Sequence, residues 1–281
     1  MTTPIIWFSD YQKSIHTGNV ADAMKARIRE LIEGVSALIE AQTGRRFDRY
    51  YDVRYFDSRR VGRGGAVSDE GMLLLDNELG EILTLTNDHS VAVGDSDYVL
   101  YPYETSAPYK TQIGLLNGLY WNSLSDPTRY ANAVGVAGFW GYGGKFTRKT
   151  TITASIDDAT ETIPVASNTG LEMGQLIRMG DELMLITAEV TTLNLTVERG
   201  YNFSPPAGHD NAAGVYVFRA DPIARRLALR IAKWQSALDD SPLVGTVTVG
   251  DFEQAIDLTA APSDVAGMIE VLTRPESIGA V

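Results

Sequence analysis

The residues able to do acid–base or metal chemistry are few and scattered along the chain. Three histidines, His16, His89 and His209, stand in separate loop-like settings, and there is no cysteine. Zinc sites and activated nucleophiles need such side chains at defined spacings. His209-Asp210 could form a metal or acid–base pair, but its position beside two prolines is more typical of an exposed turn. We therefore expect no enzyme activity, no cofactor and no metal centre.

Two pairs of aspartates are the other candidates for chemistry. Asp95 and Asp97 flank a serine, and Asp157 and Asp158 are adjacent. Their oxygens could attract Ca²⁺, but neither pair lies in a loop with the full pattern of oxygen ligands that this ion needs. Paired carboxylates for hydrolysis stay an open alternative at the level of the sequence, although no spacing here favours them.

The charge balance bears on the class of partner. With 24 basic and 36 acidic residues the net charge is 24 − 36 = −12. DNA binding through a broad surface depends on cations that neutralise phosphates, so such a surface is not expected. An acidic wall past which DNA slides without binding fits this charge. Two basic groups remain candidates to face a neighbouring subunit or DNA, with a solvated surface as the simpler alternative: Arg59, Arg60 and Arg63, and Arg226, Arg230 and Lys233.

The clearest element is a helix near the N-terminus. Its apolar residues, from Met24 to Ile39, recur at intervals of three and four and form one stripe. Asn19 is a plausible N-cap, and Gly44 stands where a left-handed C-cap is needed. This pattern predicts a helix from about Val20 to Thr43, which ends in the sequence TGRRF.

Two further helices are predicted in the C-terminal part. Asp221-Pro222 supplies a cap followed by proline, and apolar residues then recur at helical spacing as far as Leu238. Ser263 begins a short helix whose apolar side chains share one face, and Pro275 ends it. No apolar run is long enough to span a bilayer and the N-terminus lacks a signal-peptide pattern, so neither insertion nor secretion is expected.

Between these helices lie two β-rich stretches of different composition. The first holds about five short strands, from Tyr51 to Gly144. The second, residues 150–218, carries six strand-like runs and a Gly180-Asp181 hairpin turn. Its charge is 2 − 9 = −7. We therefore predict an inserted small β-sandwich or barrel domain at 150–218, between a first part at 1–149 and a second part at 219–281.

The order of these segments resembles the head–tail connector (adaptor, or head completion) proteins of tailed phages. The similar segments are the helix ending in TGRRF, a leucine run at Met72, an L-x-L strand at Ile82, the strand Tyr98-Val-Leu-Tyr-Pro, a PY turn at Pro108 and the strand that ends in Gly138-Phe-Trp-Gly-Tyr. Glycines in that strand do not have dinucleotide-loop spacing. The resemblance covers residues 15–148 and 220–275 and is interrupted by the insert.

The resemblance implies a fold and a function. The expected fold class is α+β: two long packed helices plus a short C-terminal helix around a β-rich middle, with an inserted all-β domain. The implied protein is a non-enzymatic virion component at the phage neck, assembled in the host cytoplasm. It would form a ring of about twelve subunits between the portal and a tail completion or head-closure protein, with DNA passing through.

The C-terminal segment is the expected assembly region in this interpretation. Residues 243–261, which lack a strong periodicity, and the last helix would bind the portal. They would become ordered there because binding buries their apolar surface. The alternative function is an accessory carbohydrate- or surface-binding protein that acts through the β insert. The candidate portal-binding residues are Leu243, Val244, Phe252, Ile256, Val265, Met268, Ile269 and Leu272.

Overall fold

The computed structural model describes residues 3–15, 20–103, 109–121, 130–239 and 263–273. They form two antiparallel sheets of six strands each and four helices, so the protein is mostly β and the predicted α+β class is wrong. A helical stripe is a local pattern and is easy to recognise, whereas short strands depend on remote partners. The α+β prediction therefore overestimated the share of the fold that the helices form.

The helices form one layer of the molecule. Helix α2 begins at Asp22, two residues later than predicted, and ends at Thr43, where Gly44 adopts the predicted left-handed conformation. Asn19 lies outside the described residues. In α3 the Asp221 carboxylate accepts hydrogen bonds from the amides of Ile223 and Ala224, which confirms the predicted cap. The helices are α1 (Phe8–Ile15), α2 (Asp22–Thr43), α3 (Pro222–Asp239) and α4 (Ser263–Leu272).

The first sheet is curled around its own apolar cluster. Its strand order is β1-β6-β2-β5-β4, with β3 paired to the end of β2. The two strands predicted at Met72 and Ile82 are one bent strand, β2, which pairs with β5 through its first half and with β6 through its second. The strands are β1 (Tyr50–Phe56), β2 (Met72–Asn87), β3 (Val91–Ala92), β4 (Tyr98–Tyr101), β5 (Lys110–Leu115) and β6 (Val134–Trp140).

The second sheet closes into a barrel. Its order is β7-β12-β9-β10-β11-β8, and a bridge between Ile152 and Val165 joins the two outer strands. Alternate side chains fill the interior with aliphatic groups such as Ile163, Met184 and Val217. The strands are β7 (Lys145–Thr151), β8 (Thr162–Pro164), β9 (Leu176–Met179), β10 (Glu182–Ile186), β11 (Asn194–Glu198) and β12 (Gly214–Arg219).

The barrel shares a core with the helix layer. Every residue of β10 is buried, because one face points into the barrel and the other, with Leu183 and Leu185, joins the cluster that contains Ile32 of α2 and Ile231 of α3. Trp7 in turn packs with the barrel's own cluster. The division at 149 and 218 stays a prediction, but side chains from both sides of each boundary pack together.

Candidate functional site

The predicted basic groups lie in two different places. Arg59 and Arg60 follow β1 and pair with Asp57 and Asp69, while Arg63 is exposed at the end of a 3₁₀ turn. The ion-pair partners of Arg59 and Arg60 thus lie in the same segment of the chain. Surface pairs of this kind contribute little to stability.

The second basic group forms a stripe on α3. Ile223, Arg226, Arg230 and Lys233 are all exposed, and their spacing of three, four and three places them on one face of the helix. Arg230 lies 3.3 Å from the Asp264 carboxylate of α4. Arg226 and Lys233 form no ion pair within the described part of the chain. We call these four residues the basic stripe.

The predicted portal-binding residues are divided between buried and undescribed positions. Val265 and Leu272 are fully buried in the cluster shared with α2 and α3, and Met268 and Ile269 pack against it from partly buried positions. Leu243, Val244, Phe252 and Ile256 lie outside the described residues. A portal-binding role for this helix stays a prediction, and it would require α4 to expose side chains that now pack inside the subunit.

Of the two arginines in the TGRRF segment, Arg45 is buried and Arg46 is partly exposed, an arrangement that the sequence pattern did not predict. Arg45 stacks 4.0 Å from the centre of the Tyr142 ring and lies 3.8 Å from the Glu78 carboxylate. Its Nε and Nη1 atoms are buried without a hydrogen-bond partner. Arg46 stacks on Tyr50. The signal for this arrangement was present in the sequence, because these arginines adjoin aromatic strands, but helix-end cations are usually exposed.

The continuation of this segment joins both sheets. Arg49 donates a hydrogen bond to the Gly141 carbonyl, and burial lowers its pKa to about 10. Asp48 and Arg46 both bond to the Asn202 side chain, which also donates to the Arg49 carbonyl at 2.7 Å. Asn202 belongs to a turn beside β10 of the barrel. The segment therefore links α2, the first sheet and the barrel.

Glu40, at the end of α2, is a carboxylic acid in a partly buried position. Burial raises its pKa from 4.5 to about 7; a hydrogen bond from the Phe47 amide at 2.9 Å lowers it, the Asp48 charge raises it, and Arg46 lowers it. The folded protein therefore holds a proton that the unfolded chain releases above pH 4.5. The free energy of unfolding consequently falls as the pH rises from 4.5 to about 7.

We expect Glu40→Gln to remove this pH dependence. Because glutamine still offers an oxygen to Phe47 but carries no charge, the variant should be roughly 1–2 kcal/mol more stable than the wild type at pH 8, a figure discounted for partial exposure, and equal to it at about pH 4. Urea unfolding at both pH values measures this. Glu30→Gln, on an exposed part of α2, is the control. Equal differences at the two pH values would contradict the assignment.

A second buried carboxylate organises one end of the barrel. Glu182 accepts hydrogen bonds from Arg199 at 2.7 and 2.8 Å, from His209 at 2.9 Å and from the amides of Gly200 and Ala207. Burial acts to raise the pKa of Glu182, but these bonds hold it below 4.5. Every lone pair of the carboxylate is engaged. His209 is thus part of a structural cluster rather than of an acid–base pair with Asp210.

This buried cluster supports an exposed apolar loop. Phe203 is 77% exposed, and Pro205 and Pro206 are exposed beside it. Both Asn202 and Phe203 have positive φ, a conformation that is costly for a bulky side chain. Ser204 is buried and bonds to the Leu183 amide at 2.8 Å, so the backbone on both sides of Phe203 is held in place. We call residues 203–206 the apolar loop.

Five exposed carboxylates surround the same end of the barrel. The β11 strand carries Glu198, the Glu161 carbonyl accepts a bond from the Val197 amide, and the Asp157 carbonyl accepts one from Arg199. Strand-like pairing of Ile156 with His209 brings Asp210 to the same place. None of the five forms an ion pair with a described residue. We call this set the acidic rim: Asp157, Asp158, Glu161, Glu198 and Asp210.

No protein-family model matches this chain, and comparison with curated proteins and with solved structures found no similar protein either. None of the described helices is long and apolar enough to cross a membrane. Among the described residues, no group of three or more histidines and carboxylates is placed to hold a metal ion.

Proposed function

We propose that this protein is a structural connector subunit of a tailed-phage virion, forming a ring between the portal and a tail completion or head-closure protein. The observation that supports it most is the placement of the segments that resemble connectors. The helix ending in TGRRF leads into the first sheet, where the leucine run and the L-x-L segment form β2 and the GFWGYG strand, β6, pairs with it. The DYVLYP strand, β4, lies in the same sheet on the far side of β5.

The buried arginines add to this support. Arg45 of the TGRRF sequence and Arg49, two residues after it, contact Tyr142 and Gly141 at the end of β6, so this sequence has a structural reason to follow the helix. The barrel enters the chain between β6 and α3, at the interruption of the resemblance. Its interior is filled with aliphatic side chains, as expected for a barrel whose interior serves as a packed core.

The charge balance agrees with passage of DNA through such a ring. At −12 the subunit does not carry the broad excess of cations that holds phosphates, and DNA must move through a neck without being retained. Several of the cations it does have are committed to internal pairs, as Arg199 is to Glu182.

The test is the deletion of this gene from a phage that encodes it, followed by electron microscopy of the particles. We expect DNA-filled heads that lack tails, and restoration of tailed particles when the wild-type chain is supplied from a plasmid. The purified chain should also form rings when mixed with the portal of the same phage. Normal tailed particles from the deletion strain would refute the proposal.

A further inference from the structure

We propose that two copies of this chain associate head to tail, with the acidic rim and apolar loop of one barrel docked on the basic stripe of α3 in the next copy. The inference rests on the proposed function for its biological purpose, since it identifies the two faces that would join neighbouring subunits of the ring. The contact itself is argued from charge, shape and position.

The charges of the two surfaces are opposite and only partly compensated within the subunit, since Arg230 pairs with Asp264 and Arg225 with Asp10. Helix α3, residues 222–239, carries four basic residues and one acidic residue, a balance of 4 − 1 = +3 in a chain of net −12. Residues 150–218 carry 2 − 9 = −7. Arg226 and Lys233 on one side, and the acidic rim on the other, have no ion-pair partner within the described residues. Oppositely charged surfaces steer association and set its orientation.

Each charged surface also holds an apolar contact point. Ile223 begins the basic stripe and is 42% exposed, and Phe203 projects from the apolar loop beside the acidic rim. The loop is preorganised, because Glu182 holds the amides of Gly200 and Ala207 at its two ends. A rigid aromatic group surrounded by charges has the composition of an interface anchor and loses little conformational entropy on binding.

The two surfaces cannot meet within one subunit. The inner face of α3, with Leu227 and Ile231, packs in the cluster that includes Leu183 and Leu185 from the outside of the barrel. The basic stripe lies on the opposite face of the helix and therefore points away from the barrel. A contact between two different faces is heterologous, so it repeats from copy to copy and forms a ring when the rotation closes.

A charge-exchange experiment tests this contact. The variants are Arg226→Glu with Lys233→Glu, Asp158→Lys with Glu161→Lys, and a chain that carries all four changes. We expect the wild type to self-associate in sedimentation velocity at about 20 mM salt and to dissociate at about 500 mM, because salt screens exposed charges. Each double variant should bind itself about tenfold or more weakly, and the fourfold variant should recover most of the wild-type association.

The matched control is Arg63→Glu with Glu70→Lys, which reverses one exposed charge of each sign outside both surfaces. This variant should associate like the wild type. Unchanged association of either double variant, failure of the fourfold variant to recover, or a wild type that stays monomeric at millimolar concentration in low salt would each overturn the inference. All the altered side chains are exposed, so we expect every variant to fold. Circular dichroism of each variant checks this.

These outcomes are separable from those of the gene deletion. Tailless heads together with charge-insensitive association would leave the connector function in place and reject this contact. Normal tailed particles together with recovery in the fourfold variant would leave the contact in place and reject the connector function.

Discussion

Glu182→Gln should lower the free energy of unfolding by roughly 3–5 kcal/mol. The change removes the negative charge that faces Arg199, whose side chain is 6% exposed and cannot turn to water while the barrel stays folded. A buried cation without its counter-charge is costly, and glutamine also cannot accept all five hydrogen bonds that reach this carboxylate. Urea-induced unfolding followed by tryptophan fluorescence measures the loss.

Glu198→Gln is the control for this prediction, because it makes the same chemical change on an exposed part of β11. Its effect should stay within about 0.5 kcal/mol. Replacing the pair together, Glu182→Leu with Arg199→Met, should recover a large part of the stability, since an apolar pair has no desolvation cost. A loss below about 1 kcal/mol for Glu182→Gln would show that water reaches the cluster.

Gly141→Ala should be among the most destabilising single-methyl changes in the protein, with a loss of roughly 3 kcal/mol or more. Gly141 has a φ of 122°, which side-chain-bearing residues rarely adopt, and an added methyl group would overlap the Asp48 carbonyl. The backbone cannot move away easily, because the Gly141 carbonyl accepts the bond from buried Arg49 and its amide donates to the Glu78 carbonyl.

Gly34→Ala makes the same chemical change and should have the opposite sign. Gly34 lies inside α2, and a methyl group there would meet no atom within 4 Å. Alanine favours the helix over glycine, so we expect a gain of about 0.5–1 kcal/mol. Thermal unfolding of the two variants side by side gives the comparison. A loss in both, or a loss below about 1 kcal/mol for Gly141→Ala, would show that the strand end is not packed as described.

Local patterns were sufficient for α2, α3 and α4 and for many strands. Gly44 marked the end of α2, Asp221-Pro222 marked the start of α3, and Gly180 marked the turn between β9 and β10, because each of these signals depends only on the backbone of its immediate neighbours. Five of the six strand-like runs of residues 150–218 correspond to β8–β12, whereas the first run, which begins at Thr151, overlaps only the last residue of β7.

The candidate site was harder to predict from the sequence than the helices and strands were. Val265 and Leu272 were predicted to bind a portal from their apolar character, but such side chains fit a core equally well, and burial in the subunit depends on where α2 and α3 lie. The cluster around Glu182 was missed because its members are separated by up to 27 residues, and only the barrel brings Arg199 and His209 to one carboxylate.

What the sequence determined by itself was therefore the positions of α2, α3 and α4 and of most strands, the charge balance and the absence of cysteine chemistry, since these follow from residue type and short spacing. Only the tertiary structure decided that the two sheets, and not the helices, dominate the fold. It also decided that Arg45 and Arg49 are buried while Arg226 and Lys233 face outward. The physical reason is that burial and pairing depend on contacts between distant segments, and the same guanidinium group is stable in water or on an aromatic ring according to what packs beside it.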